Sequence, residues 1–242
     1  MPTKKNRDYE LTVQLLTEYR DAAIGNAREL VAEAGLLLQH GHQARAYFLA
    51  VAAIEETGKA VQAFDGMGRN LKDSAVSQRL KIQFGDHSIK INSAFVPWLV
   101  ASPDIRAEVM SFVNTMIDIG HGRELSMYVD VKPDGGAVSM PSEVVRSIAA
   151  ENCVRLAKAV LTHATPHVMQ IKPKVRTKVQ DEFFAFKQAF PKMANTADFW
   201  EYCISRMEAG DKALEVAVTT YHAQFHSKGM LFAPQKYASD GA

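Results

Sequence analysis

The sequence predicts an all-α protein: an antiparallel helical bundle with one short ordered loop or strand, followed by additional C-terminal helices. Three observations carry this. Apolar residues in the long segments recur at steps of three and four, the period of a helix and not of a strand. Nine consecutive apolar residues, Ala46 to Ile54, lie inside one such segment, as expected of a helix buried on every side. The first two periodic segments are joined by a short link around Gly41, which makes them an antiparallel hairpin, the seed of a bundle.

Taken in order, Leu11, Leu15, Ala22, Ile24, Ala27, Leu30, Ala34 and Leu37 predict a first helix from Asp8 to about His40. A second begins near His42 and carries the apolar run into Glu55, Glu56 and Lys59. Leu80, Phe84, His87, Ile91, Phe95 and Trp98 predict one continuous third helix over about 74–100, with His87 in a slot where the pattern expects an apolar residue. Ser102-Pro103 supplies a cap and a first-turn proline for a fourth helix, about 104–119. Gly120 to Gly136 reads as an ordered loop with one short strand around Met127-Tyr128-Val129. Val144, Ile148, Cys153, Leu156 and Val160 predict a fifth helix beyond Pro141, to about Thr162. Lys172-Pro-Lys-Val-Arg-Thr-Lys then marks a boundary, dividing a bundle of residues 1–170 from a C-terminal helical extension, 171–242, packed on or beside it. The extension holds helices over about 175–189, 196–209 and 211–225, and its tail after Gly229 is expected to be loosely held.

A chain of 242 residues, 47% hydrophobic and 23% charged, can bury a substantial core and is neither disordered nor membrane-embedded in composition. No apolar stretch at the N-terminus is long enough for a signal peptide or a membrane span, so a cytoplasmic protein without membrane contact is expected. Cys153 and Cys203 form neither a disulfide framework nor a zinc knuckle, and read as buried small apolar residues. A net charge of +1 gives no global field to attract a polyanion, so nucleic-acid binding would rest on a local patch. Gly-x-Gly-x-x-Gly, P-loop and Gly-x-Ser-x-Gly motifs are absent, which argues against nucleotide-dependent and serine-hydrolase chemistry.

Three groups could carry chemistry. Glu55 and Glu56 follow the apolar run, so at least one carboxylate should point inward and need a cation, and Lys59 reaches either at i+3 or i+4; alternatively they form a surface ion pair. Asp86, His87 and Lys90 can converge on one helix as an acid/base and anion-binding set, or His87 is a core histidine bonded across the bundle. Arg123, Tyr128 and Asp130 fall in the loop, where Arg123 can clamp a phosphate and Tyr128 stack on a base, or where Tyr128 packs on the bundle beside an Arg123–Asp130 pair. The pairs His163/His167 and His222/His226 have the i, i+4 spacing of metal ligands but lie near predicted helix C-termini, where a protonated imidazole is favoured anyway. A di-metal bundle needs Glu-x-x-His twice, and the chain offers only Asp118-x-x-His121, so neither metal nor other cofactor is expected.

Asn26, Ala-Ile-Glu-Glu-Thr-Gly-Lys (53–59), Asp-His-Ser-Ile-Lys (86–90), and Arg123 with Tyr-Val-Asp (128–130) together resemble the AbiV family of bacterial abortive-infection proteins, a branch of the HEPN helical superfamily. The resemblance covers about residues 15–165. It implies a HEPN-like bundle, a homodimer and a role in phage defence. Many HEPN proteins are metal-independent ribonucleases in which the ribose 2′-hydroxyl attacks phosphorus, a histidine moves the proton and a cation stabilises phosphoryl charge. Carried over, His87 is the acid/base, Lys90 and Arg123 bind phosphate, and Glu55 or Glu56 orients them, with Asn26, Lys59, Asp86, Tyr128 and Asp130 in support. The HEPN nuclease spacing of an arginine five to seven residues before the histidine is absent: Arg79 to His87 and Arg155 to His163 each step eight, about 80° apart on a helix, so Arg123 would have to stand in. Two functions follow as expectations. One is an antiphage effector that cleaves RNA and arrests translation when a phage-encoded activator triggers it. The other is a non-catalytic helical module that binds a protein or RNA partner.

Overall fold

The structure, a computed structural model, describes residues 9–101, 115, 118–131, 135–186, 193, 196–210 and 213–232. Their backbone is helical apart from loops and one two-stranded hairpin. Two compact units form, one from Met1–Gly68 and Leu80–Lys174, the other from Arg69–Arg79 and Val175–Ala242.

In the first unit, α1 (Val13–Gln39) starts where the Thr12 hydroxyl accepts the Leu15 N–H at 3.1 Å, and α2 (Gln43–Met67) returns antiparallel to it. α2 is the central helix. It packs on α1, on α4 (His87–Ala101) and on α7 (Ser147–Gln170), so residues on all its sides are buried, including Ala50, Val51, Ala53 and Ile54. The run of nine apolar residues is thus explained by three neighbours around one helix. Small residues dominate these seams: Ala34, Ala50, Ala53, Ala94, Ala150 and Ala157 lie in one cluster with Ile54, Ile91 and Phe95, which lets the helix axes approach closely.

Two expectations are corrected here. The continuous third helix is two helices, α3 (Ser74–Gln83) and α4, parted at Gly85-Asp86. Asp86 Oδ1 accepts the Ile89 N–H at 3.0 Å, so this aspartate caps α4 and its carboxylate does not join His87 and Lys90. The fourth helix, expected over 104–119, falls mostly outside the described residues, but residues 118–125 are helical and are called α5. Gly120 and Gly122 therefore do not open a loop, and Arg123 stands on a helix. Gly122 is there for packing: a Cβ would lie 2.3 Å from the Tyr47 hydroxyl oxygen.

After α5 the chain forms β1 (Asp130–Val131) and β2 (Val138–Ser139), paired antiparallel, with Asp130 opposite Ser139. The short α6 (Pro141–Val144) precedes α7, which runs through Pro166 to Gln170, eight residues beyond the expected end. In the second unit, α8 (Lys178–Ala185) opens on a capping box between Thr177 and Gln180, and α9 (Ala197–Glu208) and α10 (Leu214–Gln224) follow. Its core is aromatic, built on Phe199, Tyr202 and Tyr221 with Phe183, Phe186, Phe225 and Phe232 against them. Cys153 and Cys203 are buried free thiols, and burial pushes Cys153 up to about 12. Among the described residues no helix is long and apolar enough to cross a membrane.

Candidate functional site

Helix geometry decides between the two adjacent glutamates. Glu55 and Glu56 are 100° apart on α2, and Glu55 turns inward, its side chain 8% exposed, while Glu56 stays half-buried and is bonded by Lys59. A buried carboxylate needs cations, and three side chains supply them. Lys90 Nζ donates to Glu55 Oε2 at 2.7 Å and His87 Nδ1 lies 2.8 Å from the same oxygen. Arg123 Nε sits 2.9 Å from Oε1. That last contact is one of charge alone, because the Nε–H is not directed at Oε1, which is left without an aligned donor among the described residues.

Burial by itself would raise the Glu55 pKa. Hydrogen bonds from Lys90 and His87, with the charges behind them, outweigh it and hold the carboxyl below its ordinary range. Lys90 is 5% exposed and enclosed; it serves Glu55 and lies 3.3 Å from His87 Nδ1. His87 is 52% exposed. The 2.8 Å contact to a carboxylate outranks the longer one to Lys90, which assigns a proton on Nδ1 to the Glu55 bond and leaves Nε2 as the ring nitrogen not bonded to Glu55.

In the sequence Gly58 is one residue of the 53–59 motif with no role of its own, yet Gly58 makes this meeting possible. A Cβ there would lie 1.8 Å from the Lys90 carbonyl oxygen, so α4 crosses α2 against bare backbone one turn from Glu55. That approach brings the first turn of α4, with His87 and Lys90, down onto the carboxylate.

His87 and Arg123 open onto a cleft of about 430 Å³ between α4 and α5, bordered also by Ser88, Asn92, His121 and Glu124. Arg123 approaches Glu55 through Nε, and its guanidinium carbon lies 5.9 Å from the centre of the Phe48 ring. The cleft border thus carries charges of both signs, Arg123 and Glu124, above the buried Glu55–Lys90 pair. A second cleft shares Gly120, His121 and Glu124 with the first and reaches Tyr128 and Asp130. Tyr128 is 58% exposed, so its ring does not close the core, and Asp130 accepts its neighbour's Val131 N–H at 2.8 Å and makes no pair with Arg123. Asn26 is exposed on α1.

The two histidine pairs are otherwise engaged. His163 stacks on Trp98 at 4.7 Å, and His167 meets Phe64 edge-on, with burial lowering its pKa. His222 packs on Phe186, and burial, then the nearby His226, lower its pKa. Among the described residues no three His, Cys, Asp or Glu side chains come together as a metal cage. His121 is the residue that sequence reading passed over. Its place in Asp118-x-x-His121 drew the eye to metals, whereas its position two residues before Arg123 is the signal that would have found it.

Compared with known protein families, the chain matches the model HEPN_AbiV, described as AbiV, over residues 15–162, a span that contains every residue of the cleft. No curated protein and no solved structure matches it.

Proposed function

The chain belongs to the HEPN_AbiV family, whose model covers more than half of it, and from that premise we propose that it is an antiphage abortive-infection effector acting as a metal-independent ribonuclease. The observation that carries this reading is the pair of contacts on one buried carboxylate. Glu55 fixes His87 through Nδ1 and holds Arg123 at the other oxygen, and both residues border the same open cleft. Such a constellation suits attack by a ribose 2′-hydroxyl on the adjacent phosphorus. His87 Nε2 takes the hydroxyl proton, Arg123 stabilises charge on the non-bridging oxygens, and the product is a cyclic phosphate end.

Lys90 is too enclosed to meet substrate and acts through Glu55 and His87. The second cleft extends the path for a single strand, with the exposed Tyr128 as a platform on which a neighbouring base stacks. Action on cellular RNA would arrest translation, with a phage-encoded protein as the trigger and a homodimer as the working form. The competing function, a binding module without chemistry, would want His87 sealed in the core; its half-exposed ring favours catalysis.

Purified protein, incubated with total RNA with and without EDTA and with an extract of phage-infected cells, is expected to cleave it in every chelator condition. His87→Ala and Arg123→Ala, each melting as the wild type, should lose about 10² to 10⁴ in rate. Wild-type protein that binds RNA but leaves it intact under all conditions would favour the binding module.

A further inference from the structure

In-line displacement at phosphorus needs proton transfer at both ends. The attacking 2′-oxygen gives one up and the departing 5′-oxygen takes one, and the two oxygens lie on opposite sides of the phosphorus. His87 offers a single free ring nitrogen, Nε2, because Nδ1 is committed to Glu55. One nitrogen cannot stand at both ends at once, so a second proton-carrying group across the cleft would speed departure of the 5′-oxygen.

The cleft walls are α4, carrying His87, Ser88 and Asn92, and α5, carrying His121, Arg123 and Glu124. Arginine keeps its proton at any working pH and cannot serve. Lys90 lies behind Glu55 and does not border the cleft. Carboxyl groups in general have lost their proton by neutral pH, while imidazoles in general still exchange theirs there. That leaves His121. Residues two apart on a helix are about 200° apart around it, so Arg123 reaches inward to Glu55 while His121 is exposed on the same turn, and His121 borders from α5 the cleft that His87 borders from α4.

We infer that His121 is the general acid of the reaction, giving its proton to the 5′-oxygen as His87 takes that of the 2′-hydroxyl. The inference rests on the ribonuclease reading above. The 2′-oxygen–phosphorus bond forms and the phosphorus–5′-oxygen bond breaks. The 2′-hydroxyl proton goes to His87 Nε2 and the His121 proton to the leaving oxygen, giving a 2′,3′-cyclic phosphate and a 5′-hydroxyl. Solvent then returns each imidazole to its starting state.

A leaving-group substitution separates this role from a structural one. Two short RNAs are compared, one ordinary and one with sulfur in place of the bridging 5′-oxygen at a single linkage, because a thiolate departs without a proton. His121→Ala should cleave the oxygen substrate about 10² to 10⁴ times more slowly than wild type and the sulfur substrate at close to the wild-type rate. His87→Ala should be slow on both. Equal slowing of His121→Ala on the two substrates, or wild-type rates on the oxygen one, would overturn the assignment while leaving the ribonuclease reading in place. Failure of the wild type to cleave either RNA would remove that reading and this inference together.

Discussion

Glu55 in the first unit and Asp198 in the second are both carboxylates held below their ordinary range against the opposing effect of burial, yet they do different things. Asp198 is met by neutral donors, the Tyr221 hydroxyl at 2.5 Å and the Phe232 N–H at 3.1 Å, which tie the segment after α10 back onto α9. Neither donor borders either cleft. Glu55 is met by Lys90, His87 and Arg123, and two of the three border a cleft. A perturbed carboxylate is therefore not in itself a functional mark. What its partners border is.

Breaking each side of this comparison should give effects of different size and kind. The largest is expected from Glu55→Ala, which strands the buried Lys90 ammonium and should cost about 3–5 kcal/mol in denaturant unfolding, with RNA cleavage lost as well. Gly58→Ala should follow, at roughly 1–3 kcal/mol, since the new methyl meets main chain and α4 must move off α2. Cleavage should fall in that variant although Gly58 touches no substrate, and an unchanged rate would show that the helix crossing does not set the site. Asp198→Asn should be smallest, about 1–2 kcal/mol from weakened hydrogen bonds, with cleavage unaltered at a temperature where the variant is folded.

Acid sharpens the contrast further. With its folded pKa depressed, Glu55 contributes stability that is fully present above the pKa of an unfolded glutamate and is lost as pH falls through the lower folded value. Glu55→Gln should flatten that acid limb of the stability profile, and a limb of wild-type steepness would assign it to other carboxylates, Asp198 among them.

Much of this architecture was legible in residue spacing. Ala46 to Ile54 announced a helix surrounded by neighbours, and α2 has α1, α4 and α7 around it. The break before α4 was hidden because Leu80, Phe84 and Ile91 keep an apolar register across it, while the capping role of Asp86 depends on a local hydrogen bond. Gly120 and Gly122 misled in the other direction: read as breakers, they lie in a helix, and Gly122 makes room for Tyr47. In the site, the spacing of His87 and Lys90 was readable from one helix. The choice of Glu55 over Glu56 was not, because it depends on the rotation of α2 against α4, a tertiary fact. Arg123 was recognisable as a cation but was assigned to a loop, and with the helix missed, His121 on the same turn was weighed only as a metal ligand.

The central claim is that a carboxylate-held imidazole drives attack by the 2′-hydroxyl without a metal. End-group analysis of the RNA fragments tests it most directly, with wild type and His87→Ala compared in EDTA. The account predicts 2′,3′-cyclic phosphate and 5′-hydroxyl ends from the wild type and about 10² to 10⁴ times less of them from the variant. Fragments ending in 3′-hydroxyl and 5′-phosphate, or cyclic ends made equally fast by His87→Ala, would contradict it.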